Sequence, residues 1–177
     1  MRILGVDPGL KTTGYGLVET LSPHAPTGNA RPRVLEGGVI STDPGAPLEQ
    51  RLESIHKGMA EVIAEHQPDV VVVEELYAKY RHPRTAILMG HARGVICLAA
   101  ASAGVPLQSY TASQVKKSLT GNGNASKDQI KRMVCRLFGL TKPPSPADVT
   151  DALALAICHA SPGRGLSERL PSPKRGR

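Results

Sequence analysis

Four consecutive valines, Val70 to Val73, stand between Pro68-Asp69 and Glu74. Such a short β-branched run, apolar at every position rather than at alternate ones, is the pattern of a central strand covered on both faces. A chain with such a strand needs a layer on each side of its sheet, which restricts it to a layered α/β architecture. Arg2-Ile3-Leu4-Gly5-Val6 has the same character and is stopped by Asp7-Pro8-Gly9. Each run therefore ends in an acid, Asp7 in one and Glu74 in the other.

The other elements fit around these two strands. Gly14 to Glu19 and Val34 to Ser41 read as returning strands of an antiparallel meander, joined by a Pro-, Gly- and Ala-rich surface loop from Ser22 to Arg33. From Pro47 to His66, Leu48, Leu52, Ile55, Met59, Val62 and Ile63 share one helical face. A second helix, small and apolar, is expected from Arg84 to Ala103, followed by a strand from Val105 to Tyr110. Its Gly90 and Gly94 are expected to let another element approach closely, either the sheet or a second copy of the chain. Shorter helices are expected at Ser113 to Leu119 and Lys127 to Phe138. A last one starts at Ser145-Pro146, a cap residue with Pro at the first helical position, and runs through Ala160. The sum is an α/β fold with a mixed five-stranded sheet and helices on both faces.

At 177 residues the chain suits one domain, expected at 1–160. Residues 161–177 are Pro-, Gly-, Ser- and Arg-rich and are expected to form a disordered tail. That tail has five cations against one anion, hence +4 of the formal +7. Overall basicity favours polyanionic partners, but a body this mildly basic needs a site before nucleic acid can be argued. Cys97, Cys135 and Cys158 are odd in number and far apart, so neither a disulfide framework nor a zinc site is indicated. Met1 leads directly into a strand without a signal peptide's regions, and no apolar stretch is read as long enough to span a bilayer. A cytoplasmic protein without a membrane association is expected.

Asp7, Glu74, Asp148 and Asp151 stand apart from the other acids. Two end apolar strands, where a carboxylate can face a crevice, and two are three residues apart on one helical face. Each has an ordinary alternative: a turn for Asp7, a solvated strand end for Glu74, helix N-terminal charges for Asp148 and Asp151. If the acids converge, they repel one another, and a cation is needed to reconcile them. A hard divalent ion such as Mg²⁺ takes oxygen ligands, and four carboxylates could hold two such ions about 4 Å apart. That arrangement is suited to phosphodiester hydrolysis. Glu75 competes with Glu74, since neighbouring strand residues point to opposite faces.

Gly5-Val6-Asp7-Pro8-Gly9 with Thr13-Gly14-Tyr15-Gly16, Val73-Glu74, Gly90-His91-Ala92-Arg93-Gly94-Val95, Gln114-Val115-Lys116 and Ala147-Asp148-Val149-Thr150-Asp151-Ala152-Leu153-Ala154 together resemble the RuvC family of crossover junction endodeoxyribonucleases. The resemblance runs in order over about residues 1–160. It implies an RNase H-like fold and a homodimeric, Mg²⁺-dependent Holliday-junction resolvase of DNA recombination and repair, with Mn²⁺ a possible substitute. The family's four acids fall by motif on Asp7, Glu74, Asp148 and Asp151, so the match selects Glu74 over Glu75. Each protomer would nick one of two like strands, leaving 5′-phosphate and 3′-hydroxyl ends. RuvA and RuvB are the partners it implies, with the four-way junction as substrate.

Tyr77, Lys79, Tyr80, Arg81 and Arg84 follow Glu74 closely, and aromatics among cations suit base stacking beside phosphate neutralisation. The family match favours Tyr77 over Tyr80, and the cations Arg81 and Arg84 of the same segment are read as DNA contacts. Lys116, Lys117, Lys127, Lys131 and Arg132 form a second basic cluster around Gly121-Asn122-Gly123, of which the match raises Lys116 and Lys127 as phosphate contacts. His91 reads as a helix-packing residue. An RNA-cleaving nuclease of similar fold, an actin-like phosphotransferase and a non-catalytic DNA-binding protein are the alternative readings.

Overall fold

The computed structural model describes residues 1–20, 32–76 and 83–160. Along the chain these form β1 (Arg2–Asp7), β2 (Thr12–Glu19), β3 (Arg33–Ser41), α1 (Leu48–His66), β4 (Val70–Glu74), α2 (Pro83–Ser102), β5 (Leu107–Tyr110), α3 (Ala112–Thr120), α4 (Lys127–Phe138) and α5 (Ala147–Ala160). Element types match the sequence reading, and the differences lie at ends. The strand expected from Val105 begins at Leu107 because the Val105 N–H is taken by the Ala100 carbonyl at the close of α2. The last helix begins after Pro146, and no capping bond joins Ser145 to Asp148 among the described residues. Arg33, expected in the loop, opens β3.

The sheet order is β3-β2-β1-β4-β5. β1 to β3 are antiparallel neighbours, whereas β1, β4 and β5 run parallel. Parallel β1 and β4 end at the same sheet edge, and this alone brings Asp7 and Glu74 to one rim. Side-chain alternation then decides which way they face. Ile3, Val70 and Val72 belong to the core shared with α3, α4 and α5, whereas Leu4, Val6, Val71 and Val73 belong to the one shared with α1 and α2. Continuing the odd positions of β1 and the even positions of β4 puts Asp7 and Glu74 on the α5 side.

α5 lies close against that face because the sheet gives it no side chains to clear. A Cβ on Gly5 would collide with the Ala152 carbonyl, and one on Gly14 with the backbone of Asp148. These close approaches bring the first turn of α5 down beside the end of β1.

α2 departs from expectation in two respects. Its span Arg84–Ser102 is, by length and composition, apolar enough to cross a membrane, contrary to the sequence reading. In the fold one face of it, including Ala92, Ile96, Ala99 and Ala100, is buried with α1 and the sheet. Gly90 and Gly94 lie on the other side, where nothing in the described chain comes within 4 Å of a Cβ built on either. His91 is exposed too, so it does not pack within the chain.

Candidate active site

A cleft of about 420 Å³ opens at the rim where β1 and β4 end, and Asp7, Glu74, Asp148 and Asp151 all line it. The two strand-end acids and the two helix acids therefore converge. Glu74 continues the face of Val70 and Val72, whereas Glu75 is exposed and does not line the cleft. The strand alternation agrees with the motif match in selecting Glu74.

The electrostatics reflect this crowding. The Asp7 carboxyl is pushed up from 3.8 to about 7, first by burial and then by the charges of Glu74, Asp151 and Asp148, with Lys127 opposing. Burial also raises Glu74, and Asp151 adds to it; a hydrogen bond from Asp7 and the charges of Lys127 and Lys116 act against the rise. The pair thus keeps its proton to a higher pH than isolated carboxylates would.

Two lysines reach the cleft, each set by a helix start. α3 opens on a capping box in which Thr111 accepts from the Gln114 N–H and Gln114 accepts from the Thr111 N–H. α4 opens on a matching box of Ser126 and Gln129. Lys116 and Lys127 line the cleft from these helices, and Lys127 Nζ lies 3.3 Å from Asp151 Oδ2. Asp151 is the main reason that the Lys127 pKa is raised. Lys117 and Lys131 do not line the cleft, and Arg84 is exposed at the start of α2. Tyr77 and Arg81 lie outside the described residues, as do Lys79 and Tyr80.

Thr13, buried, was missed by the sequence reading as a site residue. Its hydroxyl donates to the Gly9 carbonyl at 2.8 Å, so it braces the turn that follows Asp7. The signal lay in the four-residue spacing between Gly9 and Thr13. A second unforeseen group sits away from the cleft. Glu36, Glu65 and His66 bring ligand atoms within 4.8 Å of one another, and among the described residues no other such trio of His, Cys or acids does. There Tyr15 donates to Glu36 at 2.8 Å and His66 Nε2 lies 2.7 Å from Glu36, joining β2 and β3 to the end of α1. Burial and Glu36 push the Tyr15 phenol up to about 12. No three of the four cleft acids bring their carboxylate oxygens within 4.8 Å of one another.

An α/β sheet that delivers four carboxylates to one cleft from two adjacent strand ends and a covering helix, with lysines at the border, defines a nuclease of the RNase H-like class. The model of the family "Crossover junction endodeoxyribonuclease RuvC" matches residues 3–159. A protein of that name from Rhodopirellula baltica is 50% identical over 156 residues, 88% of this chain and 84% of the relative. Thermus thermophilus RuvC superposes with a TM-score of 0.82 at 36% identity, covering 96% of each chain. The structure of that protein in complex with Holliday junction substrate gives the same TM-score at 37% identity, covering 91% of this chain and 93% of the other. The chain belongs to the RuvC family of crossover junction endodeoxyribonucleases. It is accordingly a DNA-cleaving enzyme whose substrate class is the Holliday junction, and divalent-metal use goes with the family.

Proposed function

We propose that this endonuclease resolves four-way junctions as a homodimer, with Asp7, Glu74, Asp148 and Asp151 as the carboxylates that hold two Mg²⁺ ions. The observation that carries the assignment is the electrostatic state of the cleft. Four oxygen-bearing acids face one space, and their mutual repulsion helps to push Asp7 to about 7. An all-oxygen donor set of this kind suits a hard divalent cation, which relieves the repulsion. When bound, a pair of such ions supplies activation of the attacking water and stabilisation of the leaving oxygen.

The chain's own residues do the remainder. Asp7 and Glu74 are held by rigid strand ends, and Asp148 and Asp151 by the first two turns of α5, so the ligands come preorganised. Lys116 and Lys127 offer charge to the scissile strand's phosphates, with Lys127 Nζ standing 3.3 Å from Asp151 Oδ2 beside the acids. Tyr77, with Arg81 and Arg84, is proposed to meet unstacked bases and backbone beyond the cleft, and Lys117 and Lys131 to meet the arms. Residues 1–160 make up the nuclease domain, and the basic 161–177 segment adds non-specific DNA affinity. The exposed stripe of α2 supports the homodimer, whose two-fold symmetry matches two like strands. RuvA and RuvB as partners, and a cytoplasmic location, are proposed on the family resemblance alone.

The test is cleavage of a four-way junction, a linear duplex and an RNA–DNA hybrid with Mg²⁺ or EDTA. Symmetric, Mg²⁺-dependent nicks on the junction are expected. Asp7→Asn and Glu74→Gln should each lower cleavage by roughly 100-fold or more while sparing junction binding, and Glu75→Gln should be milder. Equal loss from Glu75→Gln, with folding intact, overturns the choice of Glu74; preference for the hybrid overturns the substrate.

A further inference from the structure

We infer that Arg93, on the sheet-facing side of α2, is a positioning residue for Glu74 and holds the end of β4 through the backbone; this rests on the metal-holding role proposed for Glu74. The parallel ladder between β1 and β4 ends at Val6↔Val73, one residue short of Glu74. On the other side the Glu75 N–H donates to the Tyr110 carbonyl of β5 at 2.9 Å. A trans peptide turns its C=O away from its N–H, so the Glu74 carbonyl is directed away from β5 and beyond the last β1 partner. The strand ladder supplies no donor there.

Arg93 supplies it. Its Nε–H donates to the Glu74 carbonyl at 3.1 Å, and its Nη2 donates to Ser109 Oγ on β5 at 2.7 Å. One planar guanidinium therefore ties the end of β4 to β5 from a third element, and its fork geometry fixes direction as well as distance. Arg93 forms none of the ion pairs among the described residues, and the cations that act on the Glu74 charge are Lys127 and Lys116. Its contribution is orientation. The peptide it grips lies immediately before the chain leaves the sheet, where an unheld carbonyl would let the Glu74 side chain turn with its backbone.

The test uses the full chain as wild type, Arg93→Ala, Arg93→Lys and Glu74→Gln. Mn²⁺ binding to DNA-free protein is titrated by calorimetry, beside urea unfolding and junction binding in EDTA. Arg93→Ala should weaken Mn²⁺ binding roughly tenfold, in the range for groups that orient metal ligands, with junction binding unchanged. Arg93→Lys, which keeps the charge but lacks the fork, should fall between Arg93→Ala and wild type. Wild-type Mn²⁺ affinity in Arg93→Ala, with only the urea midpoint lowered, overturns the inference. If Arg93→Ala does not fold, Arg93→Lys decides: weakened Mn²⁺ binding supports the role, and wild-type affinity overturns it. Failure of the underlying reading is distinguishable, because Glu74→Gln would then bind Mn²⁺ as well as wild type does.

Discussion

Asp7 combines a strand end, burial and three neighbouring acids, and the outcome is a carboxyl raised from 3.8 to about 7. In the unfolded chain the same group titrates near its ordinary value. Between about pH 4 and 7 the folded protein therefore holds a proton that the unfolded chain has lost, and metal-free stability falls as pH rises through that window. Above the window the loss levels off, at about 4 kcal/mol for a shift of this size. Urea unfolding in EDTA at pH 5 and pH 8 should show the fall in wild type, and Asp7→Asn should reduce it. Parallel profiles for the two proteins would show that the cleft does not strain Asp7 in this way. That Asp7 ends a strand was legible in the apolar run before it and the Pro-Gly after it. Its company was legible only through the family resemblance, because convergence with Asp148 depends on packing across more than a hundred intervening residues.

At the scale of elements, the decisive contact is α5 on the β1–β2 hairpin. Helix and strand identities could be read from apolar periodicity, and α4 lies at Lys127–Phe138 as expected. Gly14 and Gly5 matter through what a side chain there would displace, which apolar periodicity does not show. A Cβ on Gly14 would come 2.7 Å from the Asp148 Cβ and closer still to its carbonyl. Gly14→Ala should therefore push the first turn of α5 outward, costing about 1–3 kcal/mol as overpacking does. Asp148 and Asp151 would move with it, so Mn²⁺ affinity should fall even in conditions where the variant is fully folded. Retained affinity in the folded variant would mean that the close approach serves stability alone. The orientation of α2 was unreadable for a related reason: its composition is apolar and small all round, so no moment distinguishes the inner face from the outer one.

For the whole molecule, the outer face of α2 is the feature that one chain leaves unexplained. Ile87 is 61% exposed and Leu98 55%, and they are joined along the helix by exposed Gly90, His91 and Gly94. Ile87, His91, Gly94 and Leu98 recur at spacings of four, three and four, which makes one stripe. Its glycines leave room for a second helix to approach the backbone closely. A helix paired with its own copy gives an isologous contact, the kind that a two-fold dimer requires. Such a dimer would set two clefts in a fixed relation, and paired nicking depends on that relation rather than on the chemistry within either cleft. Leu98→Glu should therefore yield monomers by light scattering and abolish symmetric cleavage of both strands. Because Leu98 lies outside the core, stability within one chain should change by no more than about 0.5 kcal/mol, and Mn²⁺ binding should persist. A Leu98→Glu protein that remains dimeric, or a monomer that still nicks both strands together, would place the symmetry of the reaction elsewhere than on α2.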